Sequence, residues 1–447
     1  MGFDFVDSTG RLTYKKLTAF FIPLGVAASL TSVTHVIING TLSRGENGAF
    51  IVACFAVAMS VFGIIERPMI VFRQASSALV SGQKSFKLLK NFFIYILIIV
   101  LGISLILGYT PIGNWVYTNL FNATDDMVTA ISYTFRVITF VIIFSGIRGI
   151  YQGVIINQLE TKWLTIGVVA RLVAMFIISY LLVTFDLITS AAGGAIFLVG
   201  MIVECLVSVY KGRLLIKDSK VETGHGQLKK ADISRFYFPL VAYFLMQTIL
   251  IPVIYILLAK SADIELSIAS FALAFSITQM ILGFFMYTHQ LLLQFHGQNT
   301  RKVVKFVIMI SIIPSLLLCV LCYTPIGMVF MTSIMGAEDS LSIATIAVLK
   351  FFIIKTLVFP WVDFLNGFLM LKRQTNKMLF AQIGNLIVVI ITLLGLVHFY
   401  PALNGVNGSI AASLGELAGI VIVSIIVYRM SDMYKKKRYK RFRERRR

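Results

Sequence analysis

Apolar residues run along the chain in twelve stretches of membrane-spanning length separated by short polar turns: 17–39, 48–72, 91–108, 127–150, 163–185, 189–210, 237–258, 266–290, 303–322, 343–365, 378–399 and 406–428. A helix needs about 20 mostly apolar residues to cross the hydrocarbon core. Lipid leaves open backbone groups unsatisfied, and the stretches lack the period-2 alternation of barrel strands, so each predicts a helix. The first stretch follows a charged sixteen-residue leader and is too long for the core of a signal peptide, so it counts as the first helix. The pattern predicts an all-α polytopic membrane protein of twelve transmembrane helices.

The chain also repeats itself. Tyr109-Thr110-Pro111-Ile112-Gly113 recurs as Tyr323-Thr324-Pro325-Ile326-Gly327, 214 residues later, each copy closing an apolar run. At nearly the same offset Phe55-Ala56-Val57-Ala58-Met59-Ser60 meets Phe271-Ala272-Leu273-Ala274-Phe275-Ser276, and Gly82, Gln83, Lys87 and Lys90 meet Gly297, Gln298, Lys302 and Lys305. Each copy holds six stretches, an even number, so the two face the same way and are related by a pseudo-two-fold along the membrane normal. Two parallel six-helix repeats, forming two lobes around a central cleft, are expected. The division is 1–210 for the N-terminal lobe, 211–236 for a cytoplasmic linker, 237–430 for the C-terminal lobe and 431–447 for a basic tail.

Composition agrees: 58% of residues are hydrophobic and 13% charged, against roughly 25% charged in soluble domains. Lys and Arg collect in alternate loops, at 11–16, 84–90, 211–235, 301–305 and 372–377, while Asp125, Asp126, Asp186, Glu338 and Asp339 mark the others. The positive-inside rule then places a multi-pass protein in the cytoplasmic membrane with both termini in the cytoplasm. Ten of the last thirteen residues are Lys or Arg, which contributes to the net charge of +20. Directly after a membrane helix such a run reads as an anchor on anionic lipid rather than a nucleic-acid site. Cys54, Cys205, Cys319 and Cys322 all fall inside predicted spans and read as packing residues.

Ionisable side chains inside spans carry the candidate chemistry. A centrally placed cation costs roughly 2.5 to 3.5 kcal/mol against lipid, so Arg73, Arg136, Arg171 and Lys350 must face a wet cavity or be paired. Arg136 superposes on Lys350 at the 214-residue offset, and Arg73-Gln74 on His289-Gln290 at 216. Arg73, Gln74, Arg136, Arg171, His289, Gln290 and Lys350 are therefore the expected substrate-binding set, clamping from both walls. Glu66, Glu204 and Glu416 are candidate carriers of a coupling H+ or Na+. Glu66 and Arg73 lie seven residues apart on one helix face, which also permits a structural ion pair, and Pro68 between them can kink that helix. Arg67 and Arg148, near span ends, read equally as snorkelling residues, and His35 as a packed polar one. No phosphate-binding glycine loop is present, the histidines are scattered, and no catalytic cluster or cofactor is expected.

Twelve helices in two parallel repeats resemble the multidrug, oligosaccharide-lipid and polysaccharide exporter superfamily, which includes the multidrug and toxic compound extruders and the lipid-linked sugar flippases. The loop Ser81-Gly82-Gln83-Lys84-Ser85-Phe86-Lys87 lacks the acidic-and-arginine signature of the major facilitators. Within the superfamily, Gly367 to Thr375, Gly405-Val406-Asn407-Gly408 with Gly415-Glu416, and Ile65-Glu66-Arg67-Pro68-Met69 to Phe72-Arg73 are similar to the progressive ankylosis proteins. Glu66 departs from that pattern. The resemblance implies a secondary, alternating-access transporter exporting a small polyanion such as pyrophosphate, a nucleotide or citrate, and not an enzyme. A flippase for a lipid-linked saccharide, a cation-drug antiporter, a polytopic membrane enzyme and a non-transporting scaffold are the alternatives. A monomer is expected.

Overall fold

The computed structural model describes residues 12–158, 160, 162–217, 228–371 and 376–444, with side chains described as far as 430. The N-terminal half holds α1 (Tyr14–Leu42), α2 (Gly48–Leu79), α3 (Gln83–Tyr109), α4 (Pro111–Phe121), α5 (Asp125–Thr139), α6 (Val141–Asn157), α7 (Lys162–Thr184) and α8 (Ser190–Lys217). The C-terminal half holds α9 (Lys230–Thr248), α10 (Leu250–Leu258), α11 (Ile264–Gly283), α12 (Thr288–Ser311), α13 (Ile313–Tyr323), α14 (Pro325–Val329), a π-helical turn (Phe330–Met335), α15 (Asp339–Leu371), α16 (Asn376–Phe399), a 3-10 turn (Pro401–Leu403) and α17 (Gly405–Glu444). Among the described residues there is no strand.

Eleven helical stretches are long and apolar enough to cross a membrane. The twenty-nine-residue α1, about 43 Å long at 1.5 Å per residue, supplies a twelfth. The helices outrun the predicted spans because polar turns at their ends continue the helix beyond the apolar core: 91–108 becomes Gln83–Tyr109 and 343–365 becomes Asp339–Leu371. The expected linker is trimmed from both sides by α8 and α9, and its positions 218–227 lie outside the described residues, as do the leader to 11, positions 372–375 and the end of the basic tail.

The repeated pentapeptide builds the same corner twice. The Thr110 and Thr324 hydroxyls each accept from the backbone N–H two residues on, at 3.3 Å, and donate to the carbonyl four residues back. Pro111 and Pro325 then open α4 and α14 where a missing N–H costs nothing. A Cβ on Gly113 would sit 1.8 Å from the Leu107 carbonyl oxygen, and one on Gly327 at 1.8 Å from that of Leu321. Threonine caps, proline starts the helix and glycine permits the close approach.

The outward faces of α3, α7 and α16 are apolar and exposed, as at Ile98, Ile99, Phe176, Ile177 and Ile391, which suits lipid. The halves meet through α1 and α2 against α9 and α11. Ser29 donates to the Met280 carbonyl at 2.9 Å, and the Tyr237 hydroxyl donates to the Pro68 carbonyl at 2.8 Å. At the opposite end from the Lys- and Arg-rich loops, Arg44 reaches across from the α1–α2 turn. Its guanidinium donates to the Met335 carbonyl at 2.9 Å and also to those of Gly40 and Ile334. Gly336, at φ +69°, makes room, since a Cβ there would meet the Arg44 side chain.

Candidate anion-binding site

Glu204, 2% exposed on α8, is the hub of the N-terminal lobe. Its carboxylate accepts from Arg148 at 2.8 Å, Arg171 at 2.7 Å and Gln152 at 2.9 Å. Arg148 and Gln152 stand four residues apart on α6, hence on one face, while Arg171 comes from α7 at 4% exposure. Glu66, buried on α2, accepts from the Ser145 hydroxyl on α6. It makes no ion pair among the described residues. Arg148 lies within electrostatic reach of Glu66, and Arg73 of Arg148 and Glu204.

This cage carries more donors than acceptors. Arg67, Arg73, Arg148 and Arg171 face two carboxylates, leaving two positive charges in excess. Nε and Nη2 of Arg171 and the Nε atoms of Arg148 and Arg67 are buried without a hydrogen-bond partner among the described residues. An unmet buried donor costs about 1–3 kcal/mol, more when charged, so an incoming oxyanion has donors waiting for it.

The C-terminal lobe has a neutral counterpart. Lys355 on α15 meets Glu416 on α17 at 2.8 Å, both buried. At the 214-residue offset Arg171 becomes Asn385, whose side chain lies against Gly415. One cation therefore serves one carboxylate there, where the N-terminal lobe has two. Nearer the seam, His289 Nδ1 lies 3.0 Å from an Asp363 oxygen, its backbone N–H donates to the same oxygen at 2.9 Å, and Gln290 Nε2 lies 3.0 Å from His289 Nε2. Tyr287 stands beside His289, ring centres 6.0 Å apart, and within the field of Arg73 from the other lobe.

The structure thus gathers part of the expected clamp. Arg73 and Arg171 come together, and His289 with Gln290 borders them through Tyr287. Arg136 and Lys350 do not join them. The Arg136 Nε donates to the Gly108 carbonyl at 2.6 Å with its guanidinium 4.9 Å from the Tyr109 ring centre, and Lys350 Nζ lies 5.5 Å from that of Tyr323. Their matching positions serve the two corner motifs, each cation resting on the tyrosine that opens the pentapeptide. The Gln74 amide, oriented to donate, returns to the Ile70 carbonyl at 3.0 Å on its own helix. Glu66 bonds Ser145 rather than pairing with Arg73, and Glu204 and Glu416 are already neutralised by cations.

Arg148 does not snorkel, since its side chain is 14% exposed and bonded to Glu204. His35 is accessible to solvent yet surrounded by protein, within the field of Arg171. Sequence reasoning missed Arg148, Gln152, Tyr287 and Asp363 as site residues. The four-residue spacing of Arg148 and Gln152 on an apolar helix was the available signal.

No protein-family model and no curated protein sequence matches the chain. Solved structures do. The fold is similar to that of a multidrug resistance MATE family transporter of the MOP superfamily in an inward-facing conformation, with TM-score 0.68 and 14% identity over 90% of this chain and 96% of the other. It is similar to the lipid II flippase MurJ in an inward closed conformation, with TM-score 0.67 and 13% identity over 91% and 87%. A third match, with TM-score 0.58 and 17% identity over 94% and 97%, is a MOP superfamily transporter from Pyrococcus furiosus described as having a binding pocket of reverse polarity. The chain shares their fold over at least 90% of its length.

Proposed function

We propose that the protein is a secondary, alternating-access transporter that exports an anionic substrate, a small polyanion such as pyrophosphate, a nucleotide or citrate, across the cytoplasmic membrane. The single observation that carries this reading is the excess of guanidinium donors around Glu204. A planar guanidinium matches phosphate or carboxylate geometry with two parallel hydrogen bonds, and in a low-dielectric cage its charge acts at full strength. Glu204 holds Arg148 and Arg171 in place while their remaining N–H groups take the substrate. The cage adjoins the seam between the lobes, so rocking of one lobe on the other opens and closes it around a fixed site. The shared fold with transporters supports this mode of action.

Glu66 is the proposed proton carrier, because it alone of the three candidate carboxyls is free of an ion pair among the described residues. A proton arriving there alters the charge facing Arg148 and so couples to substrate. A cation-drug antiporter fits poorly, since the cage would repel its cargo. A flippase for a lipid-linked pyrophosphate is the second reading, favoured by the fold match with the lipid II flippase and by the same donor chemistry.

Efflux of labelled pyrophosphate, citrate or ATP from proteoliposomes tests the proposal, alongside transbilayer movement of a fluorescent lipid-linked pyrophosphate. Saturable movement of one soluble anion, lost in Arg171→Asn, supports the exporter. Movement of the lipid alone replaces it with the flippase, and movement of neither removes both.

A further inference from the structure

A second site, independent of the arginine cage, lies where α3, α6 and α8 part at the helix ends that bear the Lys- and Arg-rich loops. A cavity of about 170 Å³ opens there, room for roughly five or six water-sized groups. Its walls are Phe86, Phe93, Ile147, Ile150, Tyr151 and Val209, apolar apart from the Tyr151 hydroxyl, and its rim carries Lys90 from α3 and Arg213 from α8. Both rim cations are exposed, and neither forms an ion pair among the described residues. The one carboxylate described nearby, Glu160, is taken by Lys211 at 3.6 Å and Lys162 at 3.5 Å. The surface flanking the opening, at Ile94, Tyr95, Tyr210 and Leu214, is exposed and hydrophobic, as a face turned to lipid must be.

We infer that this crevice binds an anionic phospholipid of the adjacent leaflet, the headgroup phosphate between Lys90 and Arg213 and the upper part of one acyl chain along the Phe86–Ile150 wall. An apolar floor selects a chain, and two cations without a competing acid select a negative headgroup. Zwitterionic lipid places its own cation beside Arg213 and gains less. A free phosphate would meet the rim but leave the floor empty. The α6 residues of the site, Ile147, Ile150 and Tyr151, alternate with Arg148 and Gln152 along the helix, so a bound lipid presses on the helix that presents the cage.

The test uses the full-length protein and phosphatidylglycerol with a photoactivatable acyl chain, in phosphatidylcholine nanodiscs, with labelled peptides mapped by mass spectrometry. Labelling of the α3 and α6 segments that line the cavity is expected, displaced by unlabelled phosphatidylglycerol but not by phosphatidylcholine or glycerol 3-phosphate. Near a membrane surface each basic residue removed weakens anionic-lipid binding about five-fold, so Lys90→Gln with Arg213→Gln is expected to weaken labelling at the cavity roughly twenty-five-fold. Lys84→Gln with Lys87→Gln, removing equal charge from the start of α3 outside the cavity, should leave it unchanged. Equal loss in both double variants, or parental labelling in the first, overturns the site. Displacement by glycerol 3-phosphate overturns the lipid assignment in favour of a soluble phosphate.

Discussion

Replacing Arg171 by asparagine gives the N-terminal lobe the residue that the C-terminal lobe already carries at the matching position, Asn385. The fold should survive. Glu204 keeps Arg148 at 2.8 Å and Gln152 at 2.9 Å, so its carboxylate is not stranded, and the ion pairing at Glu204 becomes one-to-one like that of Lys355 with Glu416. What disappears is one charge and the two unpartnered nitrogens, Nε and Nη2. A hydrogen bond to a charged group is worth about 1.5–3 kcal/mol, and losing one net bond to the substrate weakens affinity roughly 10- to 150-fold. The assay is anion efflux from proteoliposomes across a substrate series, with thermal unfolding in detergent as the control for folding. A rise of KM in that range at an unchanged unfolding midpoint is expected. Arg171→Lys should fall between, since it keeps the charge and loses the fork. Parental KM in Arg171→Asn, with the protein folded, refutes the cage as the binding site.

Glu66→Gln, which still offers Ser145 an acceptor, is expected to leave the fold intact and flatten the pH dependence of transport, measured by efflux across a pH series; an unchanged profile assigns coupling elsewhere. Lys355→Met strands Glu416 and should cost about 3–5 kcal/mol, while Lys355→Met with Glu416→Leu should recover most of it; thermal unfolding reads this out, and a double variant no more stable than the single one contradicts the pairing. Gly113→Ala forces a Cβ into the Leu107 carbonyl and should destabilise by about 1–3 kcal/mol, whereas Gly102→Ala, with nothing within 4 Å, should not; matching unfolding midpoints for the two would refute the corner geometry. Arg44→Ala should raise the accessibility of a cysteine placed on the inner face of α1 to an impermeant thiol reagent; unaltered labelling would deny Arg44 a closing role.

Periodicity and the repeat made the architecture legible. Twelve apolar stretches became twelve helical segments, and the duplicated pentapeptide marked matching corners at α3–α4 and α13–α14. The site was half legible. Arg73 and Arg171 were found because a charge inside an apolar helix announces itself. Duplication also pointed to Arg136 and Lys350, but what had been duplicated was a capping contact to Tyr109 and Tyr323, and a one-dimensional offset does not distinguish a shared cavity from two copies of a local brace. Arg148 was discounted because its nearness to a span end suggests escape to water, and only tertiary structure reveals that Glu204 on another helix holds it inside. Partnership between helices is set by which faces meet, and outside Arg171 and Glu204 the largely apolar sequences of α7 and α8 do not encode which neighbour those charges will face.

The Arg44 bridge has an unusual grammar. Its acceptors are main-chain oxygens of residues 334 and 335 together with one from its own helix, so the partner side chains are free to vary without loosening the bolt. The mutational risk of that closure rests on Arg44 and on the room that Gly336 leaves for it, and because no carboxylate takes part, acidification has nothing on the far side to neutralise. Such a fastening would hold through swings of pH and yield only to a force that shifts the backbone itself.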